Sequence, residues 1–235
     1  LPVYLNYLKE HISFGTIRKK LKLVIDAGNG TAGSLAVNLL RELGCEVIEL
    51  YCEPDGRFPH HFPDPTVLAY LEDLRKKVIE EKADCGIAFD GDADRIGVID
   101  DTGEVIWGDK LLILYNRDIL EKHPGAKIIF EVKCSQALIE DIKLHGGVPL
   151  MWKTGHSLIE NKLREEKGLL AGEMSGHMYF ADDYLGYDDA IYAACRLVEI
   201  LKREGKKLSE LLSDVPKYFS TPEIRVDYPE EKKFL

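Results

Sequence analysis

The fold is decided by one stretch near the middle of the chain, Cys85-Gly86-Ile87-Ala88-Phe89-Asp90-Gly91-Asp92-Ala93-Asp94-Arg95-Ile96-Gly97-Val98-Ile99-Asp100. Its two apolar runs, residues 86–89 and 96–99, are typical of short buried strands. Between them lie three aspartates at i, i+2, i+4 spacing, namely Asp90, Asp92 and Asp94. These carboxylates repel one another unless a cation lies among them. Because oxygen-only ligands suit a hard ion, the pattern predicts a Mg²⁺ site.

Three other interpretations of this loop compete with a functional Mg²⁺ site. A solvated acidic turn is common between strands, and an ion without chemical function is also possible. An EF-hand is excluded, because its sixth position must be Gly and is Arg95, while its twelfth position is Asp101. Arg95 favours a functional site, since its guanidinium offers a fork for an anion directly beside the predicted cation.

Composition restricts the protein class. The 235 residues suffice for one large or two ordinary domains, and the net charge of −10 argues against general nucleic-acid binding. Neither a membrane span nor a signal peptide is evident. Five scattered cysteines without C-x-x-C pairing favour a reducing cytoplasm. The start at Leu1, without an initiator Met, suggests a processed or truncated polypeptide.

The order of elements predicts an α/β fold with an internal repeat. A strand, a short turn, a helix ending at glycine and a second strand occur over residues 21–50 and again over residues 127–152. We therefore expect two consecutive three-layer domains of similar topology with mixed sheets, residues 1–104 and 105–219. The charged segment 220–235 is expected to be a linker toward a further C-terminal domain. A helix over residues 66–82, capped by Thr66, should lead into the aspartate stretch.

The first strand runs into a G-x-G-x-x-G pattern at residues 28–33, with Glu49 at a distance suited to a ribose contact. This pattern raises the alternative of a nicotinamide-dependent oxidoreductase. A lone fingerprint is weak, however, because glycines also allow a tight strand-to-helix turn. The irregular, proline-rich stretch 52–66 departs from a continuing dinucleotide-binding unit.

Polar loops follow the strands of the second half, where open α/β sheets place their ligands. They are Lys133-Cys134-Ser135, Lys153-Thr154-Gly155-His156-Ser157 and Gly172-Glu173-Met174-Ser175-Gly176-His177. Glu173, Ser175 and His177 alternate, so an extended segment would place them on one face. Side-by-side alignment on one strand does not form a nucleophile–base–acid relay.

With these loops and the Asp90–Arg95 motif in this order, the chain resembles the α-D-phosphohexomutases, in particular the phosphomannomutase/phosphoglucomutase branch. The resemblance covers essentially the whole chain, including Asp26-Ala27-Gly28-Asn29-Gly30. It implies the second and third of four domains. It also implies an enzyme that interconverts hexose 1-phosphate and 6-phosphate through a bisphosphorylated sugar and a phosphoserine.

The resemblance assigns roles to individual residues. Asp90, Asp92 and Asp94 match the Mg²⁺ ligands. The expected catalytic residues are Arg95, Lys133, His156 and His177. The expected substrate-binding residues are Arg95, Glu173, Ser175 and His177.

Two departures limit these expectations. The family's phosphorylated serine loop and its fourth-domain phosphate-binding loop have no counterpart in the 235 residues. We therefore expect the missing first and fourth domains to supply them, and the chain alone to be inactive. A sugar-phosphate or metal-binding module without catalysis remains an alternative, and the preference between mannose and glucose stays open.

Overall fold

A computed structural model describes residues 2–12, 20–219 and 229. Its first half forms a five-stranded sheet in the order β2-β1-β3-β4-β5, parallel among the first three strands and antiparallel beyond β3. Its elements are α1 (Pro2–His11), β1 (Lys22–Asp26), α2 (Gly33–Glu42), β2 (Glu46–Leu50), α3 (Glu72–Glu81), β3 (Cys85–Phe89), β4 (Ile96–Asp100) and β5 (Val105–Ile106).

The second half forms a four-stranded sheet in the order β7-β6-β8-β9, with only the β8–β9 pair antiparallel. Its elements are α4 (Gly108–Lys122), β6 (Lys127–Glu131), α5 (Gln136–Leu144), β7 (Val148–Trp152), α6 (His156–Glu166), β8 (Leu170–Gly172), β9 (Met178–Phe180), α7 (Ala190–Glu204) and α8 (Leu208–Leu211). The order β7-β6-β8-β9 repeats β2-β1-β3-β4. The predicted pair of mixed α/β sheets with one topology is therefore confirmed.

Each sheet lies between helices. Helix α3 packs Leu74 and Val78 on one face of the first sheet, and α6 packs Ile159 and Leu163 on one face of the second. The opposite faces share one continuous core with α1, α2, α4, α5 and α7. Because burying each Leu, Ile or Val side chain stabilises by about 1.5–3 kcal/mol, this shared core holds the two halves together.

The first sheet continues past the predicted boundary between the two halves. Strand β5 pairs with β4 through Val98 and Ile106, so the first sheet extends beyond the predicted boundary at residue 104. The predicted linker 220–235 lies, except for Pro229, outside the described residues. Among residues 2–12 and 20–219, no helix has the length and apolar character needed to cross a membrane.

The helix predicted over residues 66–82 begins later. A 3₁₀ turn occupies Leu68–Leu71, and α3 starts at Glu72 without a side-chain cap. Thr66 does not cap it, because its hydroxyl donates to Asp64 Oδ1 at 2.7 Å and its backbone N–H donates to the same oxygen at 3.0 Å. The prediction of a Thr66 cap is therefore wrong: the hydroxyl stabilises a local turn around Asp64 instead.

The 52–66 loop packs directly against the glycine turn at residues 28–33. A Cβ on Gly33 would collide with the Cys52 carbonyl, and one on Gly28 would lie 2.8 Å from the Pro63 Cβ. His61 of the 52–66 loop bonds Asp26 at the end of β1, with Nε2 at 3.2 Å from both carboxylate oxygens, and Asp26 Oδ1 accepts the Gly28 N–H at 2.9 Å. The glycines therefore permit close packing of the 52–66 loop, as the structural interpretation of the pattern predicts.

Candidate active site

The aspartate loop, residues 90–95, is a turn between the antiparallel strands β3 and β4. It is organised by the buried carboxylate of Asp90, whose Oδ1 accepts the N–H of Asp94 at 3.0 Å and that of Arg95 at 3.1 Å. Ala93 completes the turn in the left-handed region, with φ of 68°. The turn therefore folds the alternating aspartates back toward one another rather than splaying them along a strand.

One oxygen from each of Asp90, Asp92 and Asp94 lies within 4.8 Å of the others. Asp94 Oδ1 is buried and accepts no hydrogen bond from the described residues. Burial raises the pKa of Asp94 to about 7, and the hydrogen bond and charge of Asp90 add to this effect. A cation would relieve that repulsion, and an all-oxygen donor set is the kind that Mg²⁺ prefers, so the residues fit a Mg²⁺ ion.

Arg95 is held at both ends of its guanidinium. Its Nε donates to Asp90 Oδ2 at 2.7 Å, and its Nη1 donates to Asp64 Oδ1 at 3.1 Å. Because Asp64 belongs to the proline-rich 52–66 loop, that loop helps to fix the arginine beside the aspartates. A guanidinium restrained in this way loses little rotamer entropy when it binds an anion.

The 173–177 turn connects β8 and β9, and it is not extended. Glu173 donates its N–H to the His177 carbonyl at 3.0 Å, and the Gly176 N–H donates to the Glu173 carbonyl at 3.1 Å. The expectation that Glu173, Ser175 and His177 share one face of an extended segment is therefore wrong. The glycine at position 176 allows a tight hairpin turn.

Glu173 and Ser175 have different environments in this turn. Glu173 is 3% exposed, and Tyr179 donates its hydroxyl to Glu173 Oε1 at 3.2 Å. Burial raises the pKa of the Glu173 carboxyl. Ser175 is only half-buried.

The aspartate loop and the 173–177 turn are joined through their backbones. Ile96 donates its N–H to the Gly176 carbonyl at 3.1 Å, and Arg95 and His177 form an antiparallel bridge. Gly176 has φ of 101°, and a Cβ there would collide with the carbonyl oxygen of Ile96. The two sheets therefore place the predicted metal loop and the predicted sugar-binding turn side by side.

His177 lies between carboxylates at this junction. Its Nδ1 is 2.8 Å from Asp188 Oδ2 and 3.7 Å from Asp94 Oδ1. Burial would lower the pKa of His177, but Asp188, Asp94 and Glu173 together raise it. The ring of His156, an exposed residue at the first position of α6, lies 5.9 Å from the ring of His177. Asp188 carries no sequence signal beyond its place in an acidic pair.

Lys133 and Cys134 follow β6. The Lys133 side chain is 46% exposed, and its ammonium lies 3.5 Å from Glu131 Oε1. Cys134 is buried, and burial raises the pKa of its thiol well above the usual value, so it is unsuited to act as a nucleophile. Glu131 was missed by the sequence analysis, because a charged residue at the end of an apolar strand gives no specific signal.

Two family profiles cover nearly the whole chain. The profile "Phosphoglucomutase/phosphomannomutase, alpha/beta/alpha domain II" matches residues 2–103, and the corresponding domain III profile matches residues 107–219. The chain belongs to the phosphoglucomutase/phosphomannomutase family.

Individual relatives agree with this assignment. The phosphomannomutase/phosphoglucomutase of Pseudomonas putida is 50% identical over 97% of this chain and 50% of its own length. The phosphoglucomutase of Neisseria meningitidis serogroup A is 44% identical over 97% of this chain and 48% of its own. A solved family protein from Burkholderia thailandensis superposes with a TM-score of 0.89 at 46% identity, covering 94% of this chain and 47% of its own. The chain therefore spans about half the length of the curated relatives it matches.

Proposed function

We propose that this chain supplies the metal-binding and sugar-binding loops of a phosphohexomutase, which interconverts hexose 1-phosphate and 6-phosphate through a bisphosphorylated sugar and a phosphoserine. The observation that carries the proposal is the backbone junction between the aspartate loop and the 173–177 turn, through Ile96 and Gly176. That junction places a cluster of three carboxylates beside groups that can bind sugar hydroxyls. A phosphoryl-transfer site needs this combination of positioning and charge neutralisation.

In this proposal the charged groups of the aspartate loop bind and neutralise the phosphoryl group. A Mg²⁺ ion held by Asp90, Asp92 and Asp94 would neutralise negative charge on the transferring group. Arg95, fixed by Asp90 and Asp64, offers its guanidinium to a phosphoryl oxygen. Asp90, one of the three proposed metal ligands, therefore also holds the arginine in place.

In this proposal the 173–177 turn binds the sugar. Glu173 accepts hydrogen bonds from sugar hydroxyls, and the Ser175 hydroxyl binds a neighbouring one. Because these groups bind hydroxyls and not the phosphate, they tolerate both orientations of the bisphosphorylated sugar. His177 directs Nδ1 toward Asp188, which leaves Nε2 to take a proton from an attacking hydroxyl and return it to a leaving oxygen. Lys133 and His156, both exposed, would line the catalytic cleft, where the Lys133 ammonium helps Arg95 to neutralise charge on the transferring phosphoryl group.

The phosphate-carrying serine is expected outside these 235 residues, so the chain by itself should not turn over. Relatives named for both mannose and glucose substrates leave both hexose phosphates as candidates. All five cysteines are free and buried, which supports the expectation of a reducing, cytoplasmic location.

The proposal is tested by an NMR titration of the ¹⁵N-labelled chain with glucose 1-phosphate and mannose 1-phosphate in the presence of Mg²⁺. It predicts shifts confined to residues 90–96, 133, 154–157 and 173–177. Shifts that are reproduced by inorganic phosphate alone, or no shifts in the 173–177 turn, would contradict sugar binding. A parallel titration with NAD⁺ should leave residues 28–33 unchanged. Mutase turnover by the chain alone would contradict the external serine.

A further inference from the structure

Glu131 is a fully buried carboxylate at the meeting point of three loops. It is the last residue of β6, the strand that pairs with β7 on one side and β8 on the other. Its exposure is 0%. Because the three parallel strands end at the same edge of the sheet, the loops that follow them converge around this side chain.

Each of the three loops contributes one contact to Glu131. The backbone N–H of Met174 donates to Oε1 at 2.7 Å. The hydroxyl of Thr154 donates to Oε2 at 2.6 Å. The ammonium of Lys133 lies 3.5 Å from Oε1. Both carboxylate oxygens are thus occupied by groups from different loops.

These loops carry the groups that the proposed function assigns to the sugar phosphate. Met174 lies between Glu173 and Ser175, and Thr154 lies two residues before His156. We propose that Glu131 is a positioning residue that fixes all three loops relative to one another and so sets the spacing of the sugar-phosphate ligands. The choice of a sugar phosphate as the ligand rests on the proposed function, whereas the coupling of the three loops through Glu131 does not.

A buried carboxylate is stable only when hydrogen-bonded or paired, and hydrogen bonds to it are about twice as strong as neutral ones. Glutamine has nearly the same shape and keeps an acceptor oxygen, but it removes the charge. It would therefore weaken the Met174 contact and release the Lys133 ammonium without leaving a cavity.

The test compares Glu131→Gln and Thr154→Val with a matched control, Asp141→Asn. Asp141 is also buried in the second half, but it pairs with Arg117 on α4, away from the three loops. Amide hydrogen exchange is measured by NMR, and the affinity for glucose 1-phosphate by titration with Mg²⁺ present.

We expect Glu131→Gln to speed exchange of the Met174 amide about tenfold, because a neutral acceptor forms a weaker hydrogen bond than a charged one. Amide exchange in β6 and β8 should stay unchanged. Thr154→Val should speed exchange in the loop at residues 153–157. Both variants should weaken glucose 1-phosphate binding about tenfold, whereas Asp141→Asn should leave Met174 exchange and binding unchanged.

Unchanged Met174 exchange in Glu131→Gln would overturn the inference. So would an equal rise throughout the second sheet that Asp141→Asn reproduces, because that pattern would indicate general destabilisation. Altered exchange with unaltered glucose 1-phosphate affinity would overturn the link between the loops and binding. If the wild-type chain binds no glucose 1-phosphate, the proposed function fails, and hydrogen exchange still decides the role of Glu131.

Discussion

The junction between the two sheets makes a quantitative prediction at Gly176. An alanine there must adopt φ near 101° and place its Cβ against the carbonyl oxygen of Ile96. The left-handed backbone costs about 1–2 kcal/mol for a residue with a Cβ. Relief of the collision moves the turn away from β4 and sacrifices the Ile96–Gly176 hydrogen bond, worth about 1 kcal/mol, together with overpacking of about 1–3 kcal/mol. Gly176→Ala should therefore lower the free energy of unfolding by about 3–6 kcal/mol.

Gly125→Ala is the matched control for this measurement. Gly125 has φ of 83°, and a Cβ there meets nothing within 4 Å. It therefore shares the backbone cost of Gly176→Ala but not the collision, so we expect a loss of about 1–2 kcal/mol. Urea denaturation of both variants gives the two free energies, and hydrogen exchange reports the Ile96 amide. Equal destabilisation by the two substitutions, or an Ile96 amide that stays protected in Gly176→Ala, would refute the proposed junction.

Two further predictions concern the 52–66 loop. Asp64→Asn removes the charge opposite Arg95 and should destabilise the chain by about 1 kcal/mol in urea denaturation. The control Asp55→Asn breaks the pair with the exposed Arg57 and should leave the midpoint unchanged, because solvent screens such a pair. Equal effects of the two substitutions would contradict a role for the Arg95 contact. The hydrogen bond to Asp26 raises the pKa of His61 above its unfolded value of about 6.5. Its stabilisation is therefore complete below about pH 6.5 and lost as pH rises through the folded pKa. His61→Gln should flatten this part of the stability–pH curve, and an unchanged curve would exclude His61 as its origin.

The sequence predicts the arrangement of the sheets well, because strand periodicity and glycine turns are local signals. The repeat over residues 21–50 and 127–152 appears in the structure as two sheets with the same strand order. The shared core is harder to predict from the sequence, because the packing of α7 against β4 depends on contacts between distant parts of the chain.

The candidate site shows the same limit. The spacing of the three aspartates indicates their cluster, because one turn determines it. No comparable signal marks Asp64, Glu131 or Asp188, because each contacts a residue from a different element of the fold. The alternation of Glu173, Ser175 and His177 resembles a strand, whereas the observed hairpin depends on Gly176 fitting closely against Ile96.

The proposed function requires the aspartate loop to hold Mg²⁺. Calorimetric titration of Mg²⁺ into the wild-type chain, into Asp92→Asn and into the control Asp183→Asn measures this binding. Asp92 and Asp183 are both exposed, so neither substitution should unfold the chain. We predict measurable binding to the wild type and to Asp183→Asn, and affinity reduced about tenfold or more in Asp92→Asn, which corresponds to about 1.4 kcal/mol. Identical heats for Asp92→Asn and the wild type would contradict the metal site.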